Sequence, residues 1–333
     1  MEKRGERVNH VFIVTHTDLD GAGSAAAALR ILGRSPEEAT VIFAEPYNLD
    51  RKLGELAGHV SSGDLVIIAD LGVNSESFRG VLETVKAITS SAARVEWYDH
   101  HVWSDEEAGR IKSAGVLLSV DRSTCATGVV VHHMSRRWSV EPDKFLLELE
   151  AAVCAADLWR WDHHLAPKLF RVAGDRSDDE WRMRIINKFY SGTLWDDEME
   201  AKLEEYVNAE LEGYRAIMKA TYVKENNGVR IAAAYKAFRG PPGSSMIGAL
   251  LLARYDADIA VIVRSDGGVS LRSRRVNVQR IAKALGGGGH PQAAGARIRM
   301  PLLVRLASTL YPKAAAWYAS RAIAEAYTRL GAE

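Results

Sequence analysis

Short apolar runs rich in β-branched residues alternate with longer stretches of helical spacing through roughly the first 125 residues. Val11–Val14, Thr40–Ala44, Leu65–Ala69, Arg94–Tyr98 and Val116–Val120 read as strands; Gly21–Leu32, Leu49–Ala57 and Glu76–Ile88 read as helices. This alternation calls for parallel strands joined by crossover helices, an α/β fold with a doubly wound, mainly parallel sheet. Thr124–Arg137, opened by the hydroxyls of Ser123 and Thr124, and Phe145–Asp157 add two more helices. A charged helical stretch, Asp196–Lys219, then leads to the turn signal Asn226–Asn227–Gly228. Beyond it a second, smaller α/β unit is expected. Its strand is Val229–Phe238, its helices Ser244–Tyr255 and Val278–Leu285. A hairpin of Ile259–Arg264 and Val269–Arg274 turns at Asp266–Gly267–Gly268, and Ala294–Ile298 is a last strand before an Ala-rich helical end. The expected division is 1–195, a helical linker 196–225, and 226–333.

Composition narrows the class. The chain has 333 residues, 47% hydrophobic and 26% charged, which suits a folded protein of two domains. No apolar run approaches the ~20 residues of a membrane span, and the charged stretch Met1–His10 lacks the apolar core of a signal peptide. Two cysteines, Cys125 and Cys154, give no framework of bridges, so a reducing cytoplasm and no membrane partner are expected. The net charge of zero conceals an asymmetry. Residues 226–333 hold 16 Lys/Arg against 5 Asp/Glu; the chain totals are 43 and 43, which leaves 27 against 38 for residues 1–225. An acidic part suits metal ions and a basic part suits an anionic ligand, small or short given the overall neutrality.

The chemistry follows the strands. Val11–Val14 runs into His16, Asp18 and Asp20; Leu65–Ala69 into Asp70; Arg94–Tyr98 into Asp99, His100 and His101. All parallel strands end on one sheet edge, where such folds bind ligands, so Asp18, Asp20, Asp70, Asp99 and His100 converge. Carboxylates gathered in one pocket resist ionising together, and a pair of divalent cations relieves that; Asp/His ligation favours manganese or zinc over calcium. Gly21 to Ala27 starts a helix of small residues that lets backbone approach a charged ligand. In the second unit, Gly286–Gly289 before His290 offers uncrowded N–H groups for an anion, and Arg272 and Arg274 alternate onto one strand face.

Taken in order, H-x-D-x-D-G, a strand-end Asp, D-H-H, a helix-borne Asp, S-L-R-S and G-G-G-H-x-x-A-A-G resemble the DHH phosphoesterases with a DHH-associated C-terminal domain, over about Val11 to Ile298. That group holds RecJ-like exonucleases, nanoRNase/pAp-phosphatase proteins and cyclic-dinucleotide phosphodiesterases. The resemblance implies two manganese ions, with magnesium or cobalt as substitutes. His16, Asp18 and Asp70 would hold one, and Asp20, Asp70, His100 and Asp157 the other. It implies that Asp99 orients the ligand imidazole and that His101 faces the substrate phosphate. Arg272, Ser273, Arg274, Gly287, Gly288, Gly289 and His290 would form the substrate clamp as the basic domain closes.

Two positions depart from the commonest family pattern. Val14 stands where many nanoRNase-like members carry the first His, and the fourth motif reads Ala155–Ala156–Asp157–Leu158–Trp159 in place of D-T-G, which leaves Asp162 as an alternative to Asp157. The implied reaction is phosphoester hydrolysis by hydroxide activated between two metals, on short RNA or DNA oligonucleotides or a nucleotide bisphosphate. A cyclic-dinucleotide phosphodiesterase, a RecJ-like single-strand exonuclease and a non-catalytic nucleic-acid-binding module are the alternatives. A homodimer is compatible with all of them.

Overall fold

Strand β1 (Val11–His16) has no solvent face: Val11 and Ile13 join one apolar cluster, Phe12 and Val14 another. A strand covered on both sides does not alternate polar with apolar residues, which is why this run is continuously apolar. The computed structural model describes residues 8–74, 76–173 and 178–331; most of the charged Met1–His10 stretch lies outside them. After β1 come α1 (Leu19–Leu32), β2 (Ala39–Ala44), α2 (Leu49–Ala57), β3 (Leu65–Ala69), α3 (Phe78–Ser90), β4 (Arg94–Asp99), α4 (Asp105–Ser113) and β5 (Leu117–Val120). The five strands are all parallel, in the order β2-β1-β3-β4-β5. From β1 the chain steps to β2 on one side and returns to β3 on the other. The winding therefore reverses between β1 and β3, and a crevice opens at their carboxyl ends.

Helices α2 and α3 cover one sheet face, with Ile111 of α4. The other face carries α1, α5 (Ala126–Val129), a π-helical stretch Val130–Met134, α6 (Ser135–Trp138), α7 (Lys144–Asp157), α8 (Ala166–Val172) and α9 (Asp179–Tyr190). Helix α1 lies deepest, with Ala25, Ala26, Ala27 and Ala28 fully buried. Its small side chains bring its N-terminus against β1. A Cβ at Gly21 would stand 2.2 Å from the carbonyl oxygen of His16. Helix α4 had no apolar periodicity to announce it, since Ile111 is its one buried residue.

The chain divides into units Met1–Leu203 and Glu204–Glu333, inside α10 (Asp197–Lys219). The second unit continues with β6 (Thr221–Asn226), β7 (Val229–Lys236), α11 (Ser244–Tyr255), β8 (Ile259–Arg264), β9 (Gly268–Arg272), α12 (Val278–Ala284), β10 (Gly288–Gly289), β11 (Ala293–Arg297), α13 (Leu302–Leu310) and α14 (Lys313–Gly331). Its sheet runs β10-β11-β9-β8-β7-β6, with β7 and β8 parallel and the other neighbours antiparallel. The Asn227–Gly228 turn, with φ of 50° and 75°, is the tip of a β6–β7 hairpin rather than the end of a linker. Helix α13 turns Val304 and Ser308 inward and leaves Leu302, Leu303, Leu306 and Leu310 largely exposed.

The cysteines correct an expectation. Cys125, at the start of α5, is disulfide-bonded to Cys154 of α7. Their spacing of 29 residues carries no sign of this; the packing of α5 on α7 does. The cysteine-based argument for a reducing compartment therefore falls. Among the described residues no helix is long and apolar enough to cross a membrane.

Gly21→Ala is expected to destabilise by about 1–3 kcal/mol, because backbone rather than a flexible side chain must move. Gly54→Ala, inside α2 with open space at its Cβ, is expected to stabilise by about 0.5–1 kcal/mol. Urea unfolding of both variants reads the difference; equal midpoints would contradict the close approach of α1 to β1.

Candidate metal centre

His16 ends β1, and Asp18 caps α1 by accepting the Gly21 N–H at 3.2 Å. The His16 Nδ1 lies 2.9 Å from Asp18 Oδ2 and 3.5 Å from Asp70 Oδ2. Asp70 directly follows β3 in the left-handed region, φ 56°, a conformation Asp tolerates better than most residues. Its other oxygen, Oδ1, is 3.5 Å from His100 Nε2. His100 Nε2 in turn stands 3.8 Å from Asp20 Oδ2 and 3.7 Å from Asp157 Oδ2. Among the described residues three overlapping donor groups result, His16–Asp18–Asp70, Asp20–His100–Asp157 and Asp70–His100–His101, each with ligand atoms within 4.8 Å of one another. Asp70 stands between the first two.

Each carboxylate is held from a different element. Asp20 is buried and receives the N–H groups of Ala126 and Thr127 at 2.7 and 2.8 Å and the Thr127 hydroxyl at 2.7 Å. It therefore sits on the N-terminus of α5, where the helix dipole favours an anion. Asp157 is the last residue of α7. Asp162, the alternative, is instead exposed and pairs with Arg160 at 3.4 Å. Thr127 and Glu45 were missed by sequence reasoning. Glu45 follows β2, lies 3.3 Å from His16 Nε2 and accepts the Thr17 hydroxyl. Its position just past a strand end on the shared sheet edge was the available signal.

The electrostatics favour cations. Burial and then the charges of Asp70 and Asp157 push the Asp20 carboxyl well above its ordinary range. Burial and Asp70 push Asp157 up to about 7. Burial opposes charge on His100, but Asp70, Asp20 and Asp157 together raise it to about 10. His16 is raised too, against burial, chiefly by Asp18. Asp70 Oδ2 is buried and accepts no hydrogen bond. A cluster that holds protons for want of positive charge, with an orphaned carboxylate oxygen at its centre, fits a pair of divalent cations.

Asp99 does not orient the ligand imidazole His100, as the resemblance implied. Its Oδ1 accepts from His101 Nδ1 at 2.7 Å, and its Oδ2 accepts from Trp103 Nε1 at 2.7 Å. Trp103 packs edge-on to Trp97. Burial opposes it, yet the Asp99 hydrogen bond raises His101 to about 8. The remaining histidine pairs are local: His132 meets Glu150, His133 meets Asp121 and His163 meets Glu148.

In the second unit the predicted clamp residues are used differently from one another. Arg272 is half-buried on β9, its Nη2 donating to Ser245 Oγ at 2.9 Å, and burial lowers its pKa. Strand β9 ends at Arg272, so Arg274 does not share its strand face. Ser273 is buried, and its hydroxyl accepts the N–H groups of Arg275 and Val276, which shapes a turn. Gly286 and Gly287 donate to Lys283 and Ala282, a left-handed stop for α12, and Gly288 and Gly289 pair with Gly295 and Ala294. A Cβ at Gly287 would meet the Gly295 carbonyl oxygen at 2.1 Å, so close packing requires glycine there. His290 is exposed in the turn of this hairpin, its backbone paired with that of Ala293.

A model of the DHH family N-terminal domain matches residues 10–156, and a DHHA1 domain model matches residues 226–310. The oligoribonuclease NrnB of Bacillus subtilis (strain 168) is 26% identical over 310 residues, 86% of this chain and 72% of that protein. Two solved structures share the fold at 16% identity. An exopolyphosphatase-related protein of Bacteroides fragilis aligns over 98% of this chain and 95% of its own, with a TM-score of 0.57. RecJ of Thermus thermophilus, in complex with Mn2+, aligns over 96% of this chain and 52% of its own, with a TM-score of 0.59. With the two domain models matching in this order, and a five-stranded parallel sheet that carries both D-H-H and the Asp70-centred cluster, the chain belongs to the DHH family of phosphoesterases, its DHH domain followed by a DHHA1 domain.

Proposed function

We propose that this protein is a manganese-dependent phosphoesterase that hydrolyses short oligonucleotides or nucleotide bisphosphates. The observation that carries this reading is Asp70, its two oxygens each 3.5 Å from a different histidine and each histidine paired with further carboxylates. The likeness to an oligoribonuclease and to the fold of a Mn2+-bound RecJ supports it. His16, Asp18 and Asp70 would hold one cation, and Asp20, His100, Asp157 and Asp70 the other. When bound, such ions supply Lewis-acid charge for phosphoryl oxygens and lower the pKa of water toward ~7.

The chain's own groups do the rest. The N-terminus of α5 fixes Asp20 through both of its oxygens, so this carboxylate needs no rearrangement to ligate. Asp99 holds His101 by Nδ1, in one orientation, so its Nε2 is the atom that would donate to a phosphoryl oxygen as negative charge grows. Gly72 keeps the space beside His101 clear, since a Cβ there would lie 3.0 Å from that of His101. Arg272 is the guanidinium of the second unit proposed to bind a substrate phosphate.

RNA of graded length, with pAp and c-di-AMP alongside, tests the substrate class. Turnover should fall with length; activity that holds beyond ~20 nucleotides would point to a RecJ-like exonuclease. Asp70→Asn should lower kcat/KM by at least about 1000-fold and reduce bound Mn2+, read by kinetics and metal analysis. Asp99→Asn should lower kcat by about 10–100-fold with bound Mn2+ unchanged. The metal-free protein carries protons on His100 (about 10) and Asp157 (about 7) that must leave as ions bind. Apparent Mn2+ affinity should therefore rise from pH 6 to pH 8, up to about tenfold per unit for each proton displaced. Calorimetry that finds no pH dependence would contradict this assignment of ligands.

A further inference from the structure

We propose that the Cys125–Cys154 disulfide is a positioning brace for one of the two cation sites, Asp20–His100–Asp157, and not for the other. The inference rests on the metal reading given above. Cys125 immediately precedes Ala126 and Thr127, whose N–H groups hold both oxygens of Asp20. Cys154 lies in α7 three residues before Asp157, so about one helical turn separates the sulfur from that carboxylate. The bond therefore joins the segment whose amides hold Asp20, a residue of α1, to the helix that presents Asp157, with Cα atoms 5.2 Å apart.

Both cysteines are buried, and the Thr124 hydroxyl packs against Cys154 Sγ at 3.4 Å. Between them the chain runs through the π-helical stretch Val130–Met134, α6 and the turn into α7, so the disulfide is the covalent link that bypasses this connection. A covalent tie about one turn from Asp157 fixes the end of α7 relative to the amides that hold Asp20. The His16–Asp18–Asp70 group lies at the ends of β1 and β3, where the sheet ladder fixes spacing without any help from the cysteines.

The test titrates Mn2+ into the full chain, with free ion read by electron paramagnetic resonance. It compares oxidised protein, protein reduced with a phosphine that is then removed, and the Cys125→Ser/Cys154→Ser variant. Circular dichroism and Tm establish that each form is folded, and free thiols are counted. The expected result is two ions bound by the oxidised form. The reduced form and the variant should keep one affinity and lose about tenfold or more in the other, and reoxidation of the reduced form should restore it. If the variant does not fold, the reduced native chain gives the same reading. Equal weakening at both positions, or a lower Tm with both affinities intact, overturns the proposal. Absence of Mn2+ binding in the oxidised form sinks the metal reading itself and this inference with it.

Discussion

Negative charge held out of water is the constraint on which the first unit turns. Asp20 and Asp70 are almost fully buried, Asp18 and Asp157 are three-quarters shielded, and two histidines reach between them. Such a group is unstable on its own: burial and neighbouring charge push the Asp20 and Asp157 carboxyls up, and the carboxylates raise both imidazoles. The scaffold partly offsets this with two helix N-termini. Asp18 caps α1, and Asp20 rests on the first amides of α5. What those dipoles leave uncompensated is the attraction for divalent cations.

The sheet makes the gathering possible. Residues more than 130 positions apart in sequence come together because β1, β3 and β4 all end on one edge, and because α7 returns its C-terminus to that edge. Close approach of α1 to β1 needs Gly21 and the run of buried alanines. Larger side chains there would lift Asp18 and Asp20 away from Asp70. Packing deep in the fold and ligand geometry at its edge are thus one constraint seen from two sides.

In the second unit, residues of suggestive type serve local structure. Gly286 and Gly287 stop a helix and Ser273 ties a turn. A glycine run and a serine beside arginines look alike in sequence whether their polar groups face a ligand or one another. Among the described residues the half-buried Arg272 guanidinium hydrogen-bonds to Ser245 and the Leu271 carbonyl and to no carboxylate.

The alternation of apolar runs and helical stretches determined the parallel sheet, and the acid and imidazole groups at strand ends determined which edge would carry the chemistry. Both are local patterns, legible without distances. Tertiary structure alone decided that Asp99 serves His101 rather than His100, that Asp157 and not Asp162 joins the cluster, that Thr127 and Glu45 support it, and that Cys125 meets Cys154. Each of these depends on which side chains face each other after helices pack. Sequence spacing records the order of the elements but not the rotation of one helix against another.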